Sequence, residues 1–142
     1  MTMTPQARPD GMARLPGRSR APSRRTGTAM AAQAATFALA SAAHFATSFT
    51  DAAIPELVIA AMLGLGSSAV LSQRPRAWGT AVGTTSFATF GTIVGLTIIA
   101  TGRQDAPDLG YHAAILTALA ATLITLGRRR GARRGRQPET SR

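Results

Sequence analysis

The stretch AWGTAVGTTSFATFGTIVGLTIIATG, residues 77–102, runs for 26 residues without a charged side chain. A helix rises 1.5 Å per residue and the hydrocarbon core of a bilayer is about 30 Å thick, so about 17–25 apolar residues suffice to span it. Working outward, LGYHAAILTALAATLITLG (109–127) meets the same requirement, and so do the uncharged runs 57–73 and 26–50. The run 57–73 is short if its helix begins at Pro55 and comfortable if it begins near Asp51. The run 26–50 is alanine-rich and includes Gln33 and His44, so it inserts only marginally by itself. A soluble bundle would need a charged face on each helix, and none of the four runs has one. The reading is an all-α membrane protein, an up-down bundle of four transmembrane helices over about 29–50, 53–73, 77–101 and 108–127. An Arg/Pro-rich tail, 1–27, and a basic tail, 128–142, flank the 28–127 domain and read as disordered.

The formal net charge of +10 and a mean hydropathy of +0.09 are averages over incompatible regions. The two tails hold thirteen of the sixteen arginines against two acids, Asp10 and Glu139. The centre holds Arg74, Arg76 and Arg103 against Asp51, Glu56, Asp105 and Asp108. A soluble basic domain is thereby excluded. The absence of cysteine excludes disulfide scaffolds, thiolate metal sites and redox dithiols.

Arginine placement sets the orientation. Fifteen of sixteen lie in the tails or in the connection between spans two and three, all on one side of the bundle. The positive-inside rule makes that side cytoplasmic, with both termini, in a bacterial inner membrane. Trp78 and Tyr111 open spans three and four where an aromatic belt is expected. Ala38-Leu39-Ala40 after an Arg-rich tail resembles a signal-peptide cleavage pattern, but the uncharged run continues to Thr50, which favours retention.

Polar groups within a membrane are costly and usually face the bundle interior. At 100° per residue, Gln33, Thr36, Phe37, Ala40, His44 and Thr47 fall on one stripe of span one. Glu56 borders the small-residue face of span two that includes Gly64. By helix rise, His44 lies about 8 Å below the outer end of its span, and Glu56 and His112 lie within about 6 Å of theirs. Two imidazoles and a carboxylate at one depth could bind a divalent metal or relay a proton, so His44, Glu56 and His112 are the candidate metal ligands. Two simpler readings stand beside this one: a structural His44–Glu56 hydrogen bond, and polar residues satisfied independently. The face of His112 carries Ile115, Leu116, Leu119, Leu123 and Leu126, which suits lipid, whereas Ala113, Thr117 and Ala120 form the small face of span four. With the leucine stripe on lipid, His112 would sit at the interface beside Tyr111.

Other motifs have ordinary explanations. Gly64-Leu65-Gly66-Ser67-Ser68-Ala69 matches a dinucleotide fingerprint but lies inside an apolar run rather than at a strand-to-helix turn. With Gly79-x-x-x-Gly83 and Gly91-x-x-x-Gly95 it reads as a helix-packing face, within the bundle or between copies. The arginine run 128–136 contains no aromatic residue for base stacking. It suits anionic lipid headgroups and topology control, and no nucleic acid is expected. Nothing beyond the two histidines supports haem, and no nucleophile–base constellation is visible.

Four elements carry a likeness to known proteins. They are Ala43-His44-Phe45, Ile54-Pro55-Glu56, Phe90-Gly91-Thr92-Ile93-Val94-Gly95-Leu96 and Ala106-Pro107-Asp108-Leu109-Gly110-Tyr111-His112. Over about residues 30–127 the chain resembles a broad group of small four-span integral membrane proteins of actinobacteria. The resemblance implies a four-helix membrane protein and no particular activity. The expectation is therefore an integral membrane protein without catalytic residues or cofactor. Its role is structural or accessory to a membrane complex, as a homo-oligomer or beside a membrane partner protein. The alternative is a small transporter, channel or metal-binding protein that uses the His/Glu cluster.

Overall fold

The computed structural model describes residues 22–102 and 106–134. They form four helices and no strand: α1 (Arg24–Ala46), α2 (Thr50–Leu71), α3 (Ala77–Thr101) and α4 (Ala106–Arg134). Of the expected tails 1–27 and 128–142, residues 1–21 and 135–142 lie outside the described residues. Consecutive helices pack against each other, and α4 returns to α1 over a shorter seam. The result is the up-down order that short connections dictate. Thr50–Leu71, Ala77–Thr101 and Asp108–Arg128 are each long and apolar enough to cross a membrane.

The helix limits differ from the expected spans where charge was taken as a boundary. α1 starts at Arg24, inside the expected N-terminal tail, and α4 continues through the arginine run to Arg134. Arginine is a good helix former, so a charge that ends an apolar run does not end a helix. α2 starts at Thr50, which places Pro55 inside the helix, where it cannot donate to the Asp51 carbonyl. Two helix ends close in the same way. Phe49 N–H donates to the His44 carbonyl at 2.8 Å around Ser48 at φ 61°, and Arg74 N–H donates to the Ala69 carbonyl at 3.1 Å around Gln73 at φ 51°. These are Schellman closures built on a left-handed residue, a position glycine usually fills.

The interior is small and partly polar. Met30, Phe37, Leu63, Val70, Leu119 and Leu126 are fully buried among Ala60, Ala77, Ala81 and Ala88. Two buried hydroxyls tie α1 to α2, with Ser41 Oγ donating to the Ala53 carbonyl and Ser67 Oγ to the Gly27 carbonyl, both at 2.8 Å. Gln33 Nε2 donates to Thr122 Oγ1 at 3.1 Å across the α1–α4 seam. Trp78 Nε1 donates to the Leu126 carbonyl at 3.4 Å, so the indole joins α3 to α4 as well as opening its span. The outside, in contrast, presents Leu39, Leu57, Leu65, Phe90, Ile98 and Ile124. Apolar side chains outside and hydrogen-bonded polar ones inside are the distribution a lipid solvent favours.

Of the glycine motifs, Gly66 and Gly91 pack closely against neighbouring helices, whereas nothing approaches Gly64, Gly79 or Gly83. α4 reverses the orientation that its leucine stripe suggested. Ile115, Leu119 and Leu126 are buried with His112 and Thr122, while Ala113 and Thr117 are exposed. His112 therefore faces the bundle.

Candidate functional site

The site forms at the end of the bundle that holds the α1–α2 turn. His44 lies in the last turn of α1, where the Schellman closure fixes the backbone, and the Phe49 ring meets its imidazole edge to face at 5.6 Å between centroids. Glu56 lies in the second turn of α2 and is 5% exposed. Its Oε2 and His44 Nδ1 are 2.8 Å apart. Oε1 of the same carboxyl is buried and has no hydrogen-bond partner. The carboxyl is thus half satisfied, in surroundings where an unpaired buried polar atom costs about 1–3 kcal/mol.

From α4, His112 turns inward at 9% exposure with its Nδ1 2.9 Å from the Asp108 carbonyl. A carbonyl can only accept, so Nδ1 carries the proton. In the neutral ring Nε2 is then an acceptor, and it faces Gly95, where an added Cβ would lie 3.4 Å away. Tyr111 stacks edge-on with His112 at 5.1 Å and with Phe37 at 6.4 Å, and its hydroxyl is buried without a partner.

The two histidines and Glu56 border a cavity of about 270 Å³. His44, Glu56 and His112 all line it, Asp51 and Asp108 contribute acids, and Phe37, Phe49, Ile59 and Ile98 supply apolar wall. Among the described residues, no arginine lines it. Gly91 and Gly95 form the α3 side, and a Cβ on Gly91 would press Ile59 Cδ1 at 2.8 Å. The second small-residue pair of α3 therefore makes room for side chains from α2 and α4.

Of the three residues singled out from sequence, the structure joins two directly and places the third on the same cavity wall. His112 is bonded to its own helix rather than to either partner. Among the described residues, no three His, Asp or Glu side chains are grouped to hold a metal ion. Sequence reasoning passed over Phe37, Phe49 and Gly95 as parts of the site. The only signal for Gly95 was its helical spacing from Gly91.

A second recess, of about 470 Å³, opens along the α1–α4 seam beside Arg25, Thr26, Gln33 and Thr125. Thr122 donates its hydroxyl proton to the Ala118 carbonyl at 3.0 Å, so it receives a proton from Gln33 and leaves Gln33 Oε1 buried and unpartnered.

The chain matches no known protein family, no curated protein and no solved structure.

Proposed function

We propose that the protein is a four-span integral protein of the bacterial inner membrane whose outer half holds a small-ligand binding cavity centred on His44 and Glu56. In this reading it acts as a binding or transport protein, not as an enzyme. The observation that carries the reading is the half-satisfied Glu56 carboxyl on a mostly apolar cavity wall. A purely structural His44–Glu56 bond needs neither the cavity nor the free oxygen. Ligand sites, in contrast, are mostly apolar concavities with a few placed polar groups.

Two observations support α1 as the fourth span. Its polar side chains Gln33 and Ser41 are buried against α4 and α2, leaving an alanine-rich face with Leu39 and Phe45 outside. Its 23 residues reach about 35 Å, enough for the hydrocarbon core. Placing the arginine-rich end in the cytoplasm puts anionic lipid headgroups beside Arg24, Arg25, Arg74, Arg76 and Arg128. A reporter active only in the periplasm, fused after Arg142, should then be silent, and one inserted at Gly102 should be active. Activity after Arg142 would reverse the orientation.

The site itself is checked through the imidazoles, since the chain has only two histidines. In ¹⁵N spectra of the protein in lipid nanodiscs, Glu56→Gln should move the His44 ring resonances and leave those of His112 in place. If His44 is unmoved, the bond at the centre of the site does not form in the membrane.

A further inference from the structure

Resting on the cavity reading above, we propose that the ligand is a compact organic monocation that carries at least one N–H, a primary or secondary ammonium on a single-ring or similarly small apolar body. The charge comes from the polar inventory of the wall. Asp51, Glu56 and Asp108 contribute carboxyls, and among the described residues no arginine lines the wall. His44 already uses Nδ1 on Glu56 Oε2, and His112 donates from Nδ1 to the Asp108 carbonyl with Nε2 turned toward Gly95. The open position at Glu56 Oε1 therefore needs a donor. An ammonium supplies that donor together with the charge that complements a carboxylate in a low-dielectric site. An anion would face the unpartnered Glu56 carboxyl oxygen.

Size and wall chemistry set the rest of the class. About 270 Å³ is just below the usual 300–1,000 Å³ range of ligand pockets, which limits the ligand to a small body. Phe37, Phe49, Ile59 and Ile98 offer apolar surface for that body, and the two rings can also face a cation. A quaternary ammonium has the charge but no proton for Glu56 Oε1. A divalent metal would need several converging ligands. Here two of the three nearest donors are bonded to each other, and the third is held by its own helix.

The test uses benzylammonium, benzyl alcohol, benzoate and benzyltrimethylammonium on the full-length protein in nanodiscs, at one fixed pH where the amine is charged. The saturable shift of the His44 and His112 ring resonances is read. Benzylammonium should bind about 10- to 100-fold more tightly than benzyl alcohol, the range a hydrogen bond to a charged group supports. Benzoate should not bind, and benzyltrimethylammonium should fall between amine and alcohol. Glu56→Gln should bring the amine down to the level of the alcohol. Equal affinities for amine and alcohol in the wild-type protein would overturn the cation class while leaving the cavity as a ligand site. Tighter binding of benzoate would overturn it in the same way. If no member of the series shifts either histidine, the binding reading falls, and the ligand class with it.

Discussion

Truncating His44 to alanine should lower the unfolding free energy by about 3 kcal/mol, near the bottom of the range for removing one partner of a buried ion pair. The cost arises on the other side of the bond. Glu56 is 5% exposed and its Oε1 is already unpartnered, so losing His44 Nδ1 leaves both carboxyl oxygens without a donor. The figure sits low in its range because the His44 side chain is 22% exposed and its removal opens a route for water to the carboxyl. The reciprocal change is milder. Glu56→Gln keeps an oxygen that accepts from Nδ1, and a lone imidazole can remain neutral, so about 1 kcal/mol is expected.

The double variant His44→Leu/Glu56→Leu should recover to within about 1 kcal/mol of the wild type, since apolar replacement of a buried ion pair is often neutral or stabilising. The wild type, the single variants His44→Leu and Glu56→Leu, and the double variant form a thermodynamic cycle. Stability can be followed in micelles by titrating in a denaturing detergent and reading the fluorescence of Trp78, the single tryptophan, at the opposite end of the bundle. If the two single leucine variants simply add, the 2.8 Å contact contributes no coupling. Stability and function separate here as well. The double leucine variant should fold but lose the ligand response of His112, which a structural role for the pair would not predict.

How far the sequence could lead depends on which residues carry a direction. Uncharged run length set the number of helices because lipid admits no isolated charge over that distance. His44 and Glu56 were legible as a pair because a polar side chain in lipid has a preferred side, and helical spacing with depth then puts the two at one level. α4 was not legible by the same means. Its leucine stripe and its alanine stripe are both apolar, and in a bilayer either can face a neighbour or a lipid tail, so periodicity has no sign. Thr122 and His112, on the leucine side, were the residues that could have decided it, and both are buried. The glycines pose the same difficulty. Gly79/Gly83 and Gly91/Gly95 have the same spacing on one helix, yet the first pair is open and the second borders the cavity. The difference lies in Ile59 and His112 on other helices, which no local pattern in α3 reports.

Gly66 gives the largest packing effect expected from a single added methyl group. It is buried where α1, α2 and α3 meet, and a Cβ there would collide with Thr84 Oγ1 and lie 2.5 Å from Met30 Cε. Met30 can yield because its side chain is unbranched and flexible, although it is fully buried. Thr84 cannot yield as readily. It is β-branched, 5% exposed, and its hydroxyl is held by the Thr80 carbonyl at 2.9 Å. Gly66→Ala should therefore cost about 1–3 kcal/mol, and Gly66→Leu should prevent α1 and α3 from seating on α2 at all. Two positions earlier, Gly64 has nothing within 4 Å of an added Cβ. Gly64→Ala should stabilise the helix by up to about 1 kcal/mol through propensity alone. Opposite signs for the same chemical change on one helix isolate packing from propensity, and equal effects at the two positions would show that α3 does not approach Gly66. Adding Thr84→Ala to Gly66→Ala removes the hydroxyl that blocks the methyl and should restore part of the loss. The His44 resonances should be unchanged throughout, because Gly66 and Glu56 are ten residues apart on α2, about 15 Å along its axis.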